Sequence, residues 1–275
     1  MNTQVRYTVA SVISELKKLL KKDIPAAYRN WARDGITYVE RNPEADVLDF
    51  PNNIFAYIQK DPMPAEVREL VEGILQQGIR EGSGIAACNL GALYYTGQIG
   101  EQSYQKAREL YEIAAETGDE QAVENLGYCY YYGRDCEVDY QKAYECFAKG
   151  AFTGRVTSLY KIADMYKNGY YVRKNEREAY CIYSHCIDVI NSDREAAAEY
   201  DADVYVRYAE CYMNGTGCEK DLLTALFWAQ RAEYDFRKRE AGHAPFARQG
   251  VDWAMRVAAR CRQMLDQEGE VFPVC

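Results

Sequence analysis

From Val9 the apolar positions Val9, Val12, Ile13, Leu16 and Leu20 recur at steps of one, three and four. That is the spacing of one helix face, and Lys17, Lys18, Lys21 and Lys22 fall mostly on the other. The pattern returns at Pro64, where Val67, Leu70, Val71, Ile74 and Leu75 predict an amphipathic helix over 64–81. Residues 84–118 read as two helices around a loop. Leu90, Leu93 and Tyr94 share a face of the first, and Gly97 supplies a residue that tolerates the left-handed conformation closing a helix. Ala107, Leu110, Tyr111, Ala114 and Ala115 line the second, which stops at Gly118. PFARQGVDWAMRVAARCRQMLDQ, from Pro245, reads as a capping helix. NNIFAYIQK, from Asn52, reads as a degenerate helix preceding the one at 64–81, and VLDFPNN just before it reads as extended.

The two-helix pattern repeats. NLGALYYTG at Asn89, NLGYCYYYG at Asn125 and KIADMYKNG at Lys161 each start 36 residues after the last, and RYAECYMNG follows at Arg207 after 46. The register holds downstream, where QKA at Gln105–Ala107 returns at Gln141–Ala143 and Ala179 and Ala225 keep the place. The ten extra residues fall in DVINSDREAAAEYD, as a longer helix or a loop. One such helix pair cannot bury its own apolar face, so the pairs must stack.

Composition narrows the chemistry. The chain has 275 residues, 48% apolar and 27% charged, enough for a sizeable core. No stretch reaches the roughly 18 apolar residues of a membrane helix, and the N-terminus does not read as a secretory signal. The compartment expected is therefore the reducing cytoplasm, with free thiols. A net charge of −9 without a basic patch disfavours nucleic acid. The ten cysteines include no CxxC pair, and His185 beside Cys186 has no second cluster at metal-ligand spacing. Phosphate-cradling and dinucleotide motifs are missing, so no metal, cofactor or catalytic residue is expected.

LGxxYxxG, then KA, then AAExG at about 36 residues resembles the Sel-one-like repeat (SLR) family, a relative of the tetratricopeptide repeat. NLGALYYTGQIGEQSYQKARELYEIAAETGD matches nearly throughout, while Ala163 and Ala209 replace the motif glycine in the third and fourth units. The resemblance implies an all-α fold, a right-handed superhelical solenoid of stacked antiparallel helix pairs. Four repeats are placed near 83–118, 119–154, 155–190 and 201–236, within a solenoid over 63–236. An N-terminal helical segment (1–62) precedes it and a C-terminal capping helix and tail (237–275) follows.

The resemblance also implies a concave groove lined by the first helices. There Asn89, Asn125, Lys161 and Arg207 stand before the motif and offer hydrogen-bond donors to a partner. Tyr95, Tyr128, Tyr131 and Tyr132 offer large contact areas with polar tips. The competing reading pairs Lys161 with Asp164 and Arg207 with Glu210, three residues apart on a helix. Tyr94, Tyr130, Tyr166 and Tyr212 recur at the repeat's structural position and are expected in the core. Cys129 and Cys211 stand at apolar positions, expected to pack as small hydrophobes; with Cys136 and Cys218 they form two equally spaced pairs, for which disulfides are the alternative.

The function expected is a non-enzymatic scaffold or adaptor that binds a protein or peptide. An exported regulator binding a foreign protein and a Cys- or His-dependent hydrolase are the alternatives.

Overall fold

The computed structural model describes residues 6–58, 62–192, 201–242, 244 and 246–268. His243, expected in a loop, and most of the ten-residue insertion lie outside them. Among the described residues there are thirteen α-helices and no strand. The chain divides into two compact units, one up to Val138 and one from Asp139.

The first unit contains α1 (Val9–Leu19), α2 (Ala26–Arg41), α3 (Asp49–Asn52), α4 (Ala65–Arg80), α5 (Gly84–Thr96), α6 (Tyr104–Glu116) and α7 (Glu120–Tyr132). From α4 onward each helix packs on the next. The local signals explain the boundaries. Ser83, Ser103 and Asp119 cap α5, α6 and α7, their side chains accepting from the backbone N–H three residues on. α5 and α6 approach closely at Gly91, where an added Cβ would stand 2.7 Å from the Tyr111 ring.

Residues 7–58 share their core with the first repeat. Val12, Leu16, Tyr28, Trp31, Phe50 and Ile54 belong to one cluster with Val67, Val71, Ile74, Leu90 and Leu93. Trp31 satisfies its buried N–H by donating to the Phe50 carbonyl at 3.0 Å. The Gln77 side chain clasps the backbone of Tyr7, accepting from its N–H at 2.6 Å and donating to its carbonyl at 3.1 Å.

Two expectations for this segment are corrected. VLDFPNN is not extended, because Asp46 and Asp49 hydrogen-bond the local backbone and fold α3. Ile54–Tyr57 forms a single 3₁₀ turn rather than a degenerate helix. Gln59 and Lys60 lie outside the described residues.

The second unit contains α8 (Tyr140–Phe152), α9 (Val156–Asn168), α10 (Glu176–Ser192), α11 (Asp201–Asn214), α12 (Leu222–Ala241) and α13 (Ala247–Glu268). Its core joins Ala163, Tyr183, Cys186 and Ile190 to Val206, Ala209, Cys211, Ala225 and Ala229. α13 lays Val251, Ala254, Ala258, Cys261 and Leu265 against that core and turns Arg256, Arg260 and Arg262 outward.

Candidate functional site

The tyrosines singled out in the second repeat meet those of the first in one cluster. Tyr128 and Tyr132 are four residues apart on α7, so their rings stack, with centroids 6.2 Å apart. Tyr131 meets Tyr132 edge-on at 4.9 Å. Tyr95, near the end of α5, meets Tyr104, at the start of α6, edge-on at 5.0 Å. Tyr132 is 47% exposed, and the other four are partly buried.

Arg134 ties these rings together. Gly133 takes φ +65°, a conformation open to glycine, and ends α7. The next N–H, that of Arg134, turns back to the Cys129 carbonyl at 2.9 Å. The guanidinium thereby lies 4.7 Å from the Tyr104 ring centre and 5.8 Å from that of Tyr132. Burial raises the Tyr95 phenol's pKa, and the charge and hydrogen bond of Arg134 pull it partly back. The Arg134 Nε is buried and, among the described residues, has no hydrogen-bond partner. Sequence reasoning missed Tyr104 and Arg134. Their only signal was position, one opening a second helix and the other following the capping glycine.

The four donors before the motif are placed differently. Asn89 donates to the Asn52 side chain at 2.7 Å. The Asn125 side chain accepts from Gln121 at 3.3 Å and reaches the Cys88 sulfur at 3.7 Å. Lys161 and Arg207 do not stand in an open groove, being 2% and 9% exposed. Asp164 holds both. Arg207 donates to its two oxygens at 2.8 and 3.0 Å, Tyr183 donates at 2.6 Å, and the Lys161 ammonium lies 3.7 Å away. Lys161–Asp164 is the pair the spacing suggested. Arg207 instead reaches Asp164, 43 residues away in sequence, while Glu210 binds Lys167 and the Trp253 N–H, both at 2.8 Å. The Tyr160 and Trp253 rings flank the Arg207 guanidinium at 4.5 and 5.0 Å.

The repeat-position tyrosines are half-buried rather than core. Tyr94 donates to Glu72 at 2.9 Å, and Tyr212 shares a hydroxyl triad with Tyr180 and Tyr208 at 2.9–3.3 Å. Cys129 and Cys211 are fully buried. The nine described cysteines carry free thiols, and Cys136 points its sulfur at the Cys129 carbonyl, 3.6 Å away. Burial pushes the thiols of Cys129, Cys186 and Cys211 up to about 12, away from the thiolate a nucleophile needs. His185 is exposed on α10. Among the described residues no group of three metal-binding side chains stands together, and no helix is long and apolar enough to cross a membrane.

The repeat scaffold that presents these side chains is matched by the Sel1 repeat model four times, over residues 84–119, 121–151, 156–180 and 202–233. The chain carries four Sel1 repeats. Sel1 repeats generally mediate protein–protein interaction.

Among solved structures, a Sel1 repeat protein from Oxalobacter formigenes is 18% identical, covering 90% of this chain and 97% of its own, with a TM-score of 0.56. That likeness shows a shared fold, the all-α solenoid of stacked SLR helix pairs. The protective antigen c5321 of uropathogenic Escherichia coli strains, which displays an SLR fold, is 18% identical. It covers 98% of this chain and 65% of its own, with a TM-score of 0.41. A sel1 repeat protein of Klebsiella pneumoniae is 16% identical over 70% of this chain and 85% of its own, at 0.43. No curated protein matches the chain.

Proposed function

We propose that this Sel1 repeat protein is a non-enzymatic adaptor that captures a segment of a partner protein on the tyrosine cluster of its first unit. The observation that carries this reading is one cluster of Tyr95, Tyr104, Tyr128, Tyr131 and Tyr132 with Arg134, whose Nε has no partner among the described residues. Tyrosines supply rigid contact area at small entropic cost, and a guanidinium fits a carboxylate or carbonyl acceptor. The matching partner segment presents apolar or aromatic side chains beside such an acceptor. Asn89, Asn125, Lys161 and Arg207 drop out of the contact surface in this reading, since their polar atoms hold the protein itself together.

The raised pKa values of Cys129, Cys186 and Cys211 weigh against these three thiols as the nucleophile of the hydrolase alternative. The test is affinity capture from the native organism with the wild type and with Tyr131→Ala/Tyr132→Ala. The double variant keeps its helical circular dichroism and loses the captured partner. Undiminished capture by a folded double variant overturns the proposal.

A further inference from the structure

A second site lies apart from the tyrosine cluster, in the N-terminal helices. A cavity of about 260 Å³ opens between α2, α3 and the 3₁₀ turn. Its walls include four aromatic rings, those of Trp31, Tyr38, Phe50 and Tyr57. Its polar lining includes two carboxylates, Asp34 and Asp49, and no lysine or arginine. That volume is below the about 300–1,000 Å³ of pockets for drug-sized ligands and suits the end of one side chain.

The cavity is built rather than incidental. The Trp31 indole is locked by its bond to the Phe50 carbonyl. Tyr57 donates to Asp34 at 2.6 Å, and the Tyr38 hydroxyl stands 3.4 Å from Asp49. The phenols thus orient both carboxylates without neutralising them. Among the described residues no cation pairs with either acid, and the neighbouring Arg33 is turned to Asn30 at 2.9 Å. Aromatic rings and carboxylates that pair with no cation among the described residues, set around a small concave volume, match the chemistry of an alkylated cation.

The geometry points to a binding site for an organic cation, an alkylammonium or guanidinium such as a lysine or arginine side chain. The rings take the apolar stem and Asp34 and Asp49 take the charge. No anion of that size finds an equal match, because the lining holds no positive charge.

The test follows the indole ¹H–¹⁵N signal of Trp31, assigned with Trp31→Phe, in the full chain. The probes are Nα-acetyl-lysine methylamide, Nα-acetyl-arginine methylamide and free choline, with Nα-acetyl-norleucine methylamide as the neutral control. The cations produce saturable millimolar shifts that weaken with salt, and norleucine produces none. Asp34→Asn/Asp49→Asn, which keeps shape and acceptors, weakens cation binding at least about tenfold, the loss expected from removing both charges. Tighter binding of the lysine and arginine derivatives than of choline identifies a protein side chain as the source; the reverse order identifies a free small cation.

Equal shifts with norleucine, no shift with any cation, or undiminished binding by the folded double variant overturns the inference. If the double variant does not fold, Asp49→Asn alone and the salt dependence of the wild type decide in the same way. Tyr131 and Tyr132 take no part here, so this result and that of the adaptor test are independent.

Discussion

Replacing Asp164 with Asn removes one negative charge while keeping the side chain's volume and one acceptor. What it leaves behind follows from the geometry. Arg207 loses a two-pronged ion pair at 2.8 and 3.0 Å, and the 2%-exposed Lys161 loses the carboxylate 3.7 Å away. Breaking a buried pair by removing one partner costs about 3–5 kcal/mol, because the other charge stays desolvated. Asp203 remains near Arg207, its carbonyl accepting at 2.8 Å and a carboxylate oxygen 3.8 Å away, so a loss near the lower end, about 3 kcal/mol, is expected.

The pH dependence sharpens the test. Burial by itself raises the pKa of Asp164. Arg207, Lys161 and the hydrogen bonds from Arg207 and Tyr183 outweigh it and hold the carboxyl below its ordinary 3.8. A depressed carboxylate pKa contributes stability that is present above the unfolded value and lost as pH falls through the folded one. The gap between wild type and Asp164→Asn is therefore constant from pH 7 to about pH 5 and narrows below about pH 4. Equilibrium urea unfolding reads it, followed by the fluorescence of Trp253, whose ring lies 5.0 Å from the Arg207 guanidinium. Asp164→Asn/Arg207→Met, which removes both partners of the ion pair, regains part of the loss. A cost below about 1 kcal/mol at neutral pH, or a gap that persists undiminished at pH 3, refutes the reasoning.

Three further outcomes are expected. Gly91→Ala puts a Cβ 2.7 Å from the Tyr111 ring and lowers stability by about 1–3 kcal/mol; an unchanged unfolding midpoint counts against the close α5–α6 contact. Peptide mapping after brief alkylation of the native protein at pH 8 finds the exposed Cys181 modified well before Cys129, Cys186 and Cys211; the reverse order contradicts their burial and raised pKa values. Burial, with Asp235 nearby, pushes Asp201 up to about 6. A carboxyl whose pKa rises on folding favours the folded state while protonated and loses that contribution as pH rises from about 4 to about 6. Asp201→Asn is accordingly more stable than the wild type at pH 7 and nearly equal to it at pH 4; equal stabilities at pH 7 refute this.

Much of the fold was legible because its signals are local. The 36-residue step, the serine or aspartate before α5, α6 and α7 and the glycine closing α5 and α7 all act within a few residues of one another. Cys129 and Cys211 could likewise be placed inside from their register alone. Short spacing misled where a longer contact won. Glu210 sits three residues from Arg207, yet Arg207 binds Asp164 on a different helix, and Glu210 binds Lys167 and Trp253. VLDFPNN failed for a related reason, since two aspartates in fixed geometry fold it and its periodicity does not show that.

Sequence alone determined the helices, their period and the residues that could face a neighbour, because apolar spacing and capping are properties of contiguous chain. Tertiary structure decided which charges are buried, which tyrosines gather with Arg134 and which carboxylates line an aromatic cavity. Those outcomes depend on side chains from separate elements meeting at 2.6–5 Å, as Tyr183 and Asp164 do at 2.6 Å and Arg134 and Tyr104 at 4.7 Å. No periodicity along one chain encodes which partner arrives, because desolvation and charge are set by everything packed around a group rather than by its neighbours in sequence.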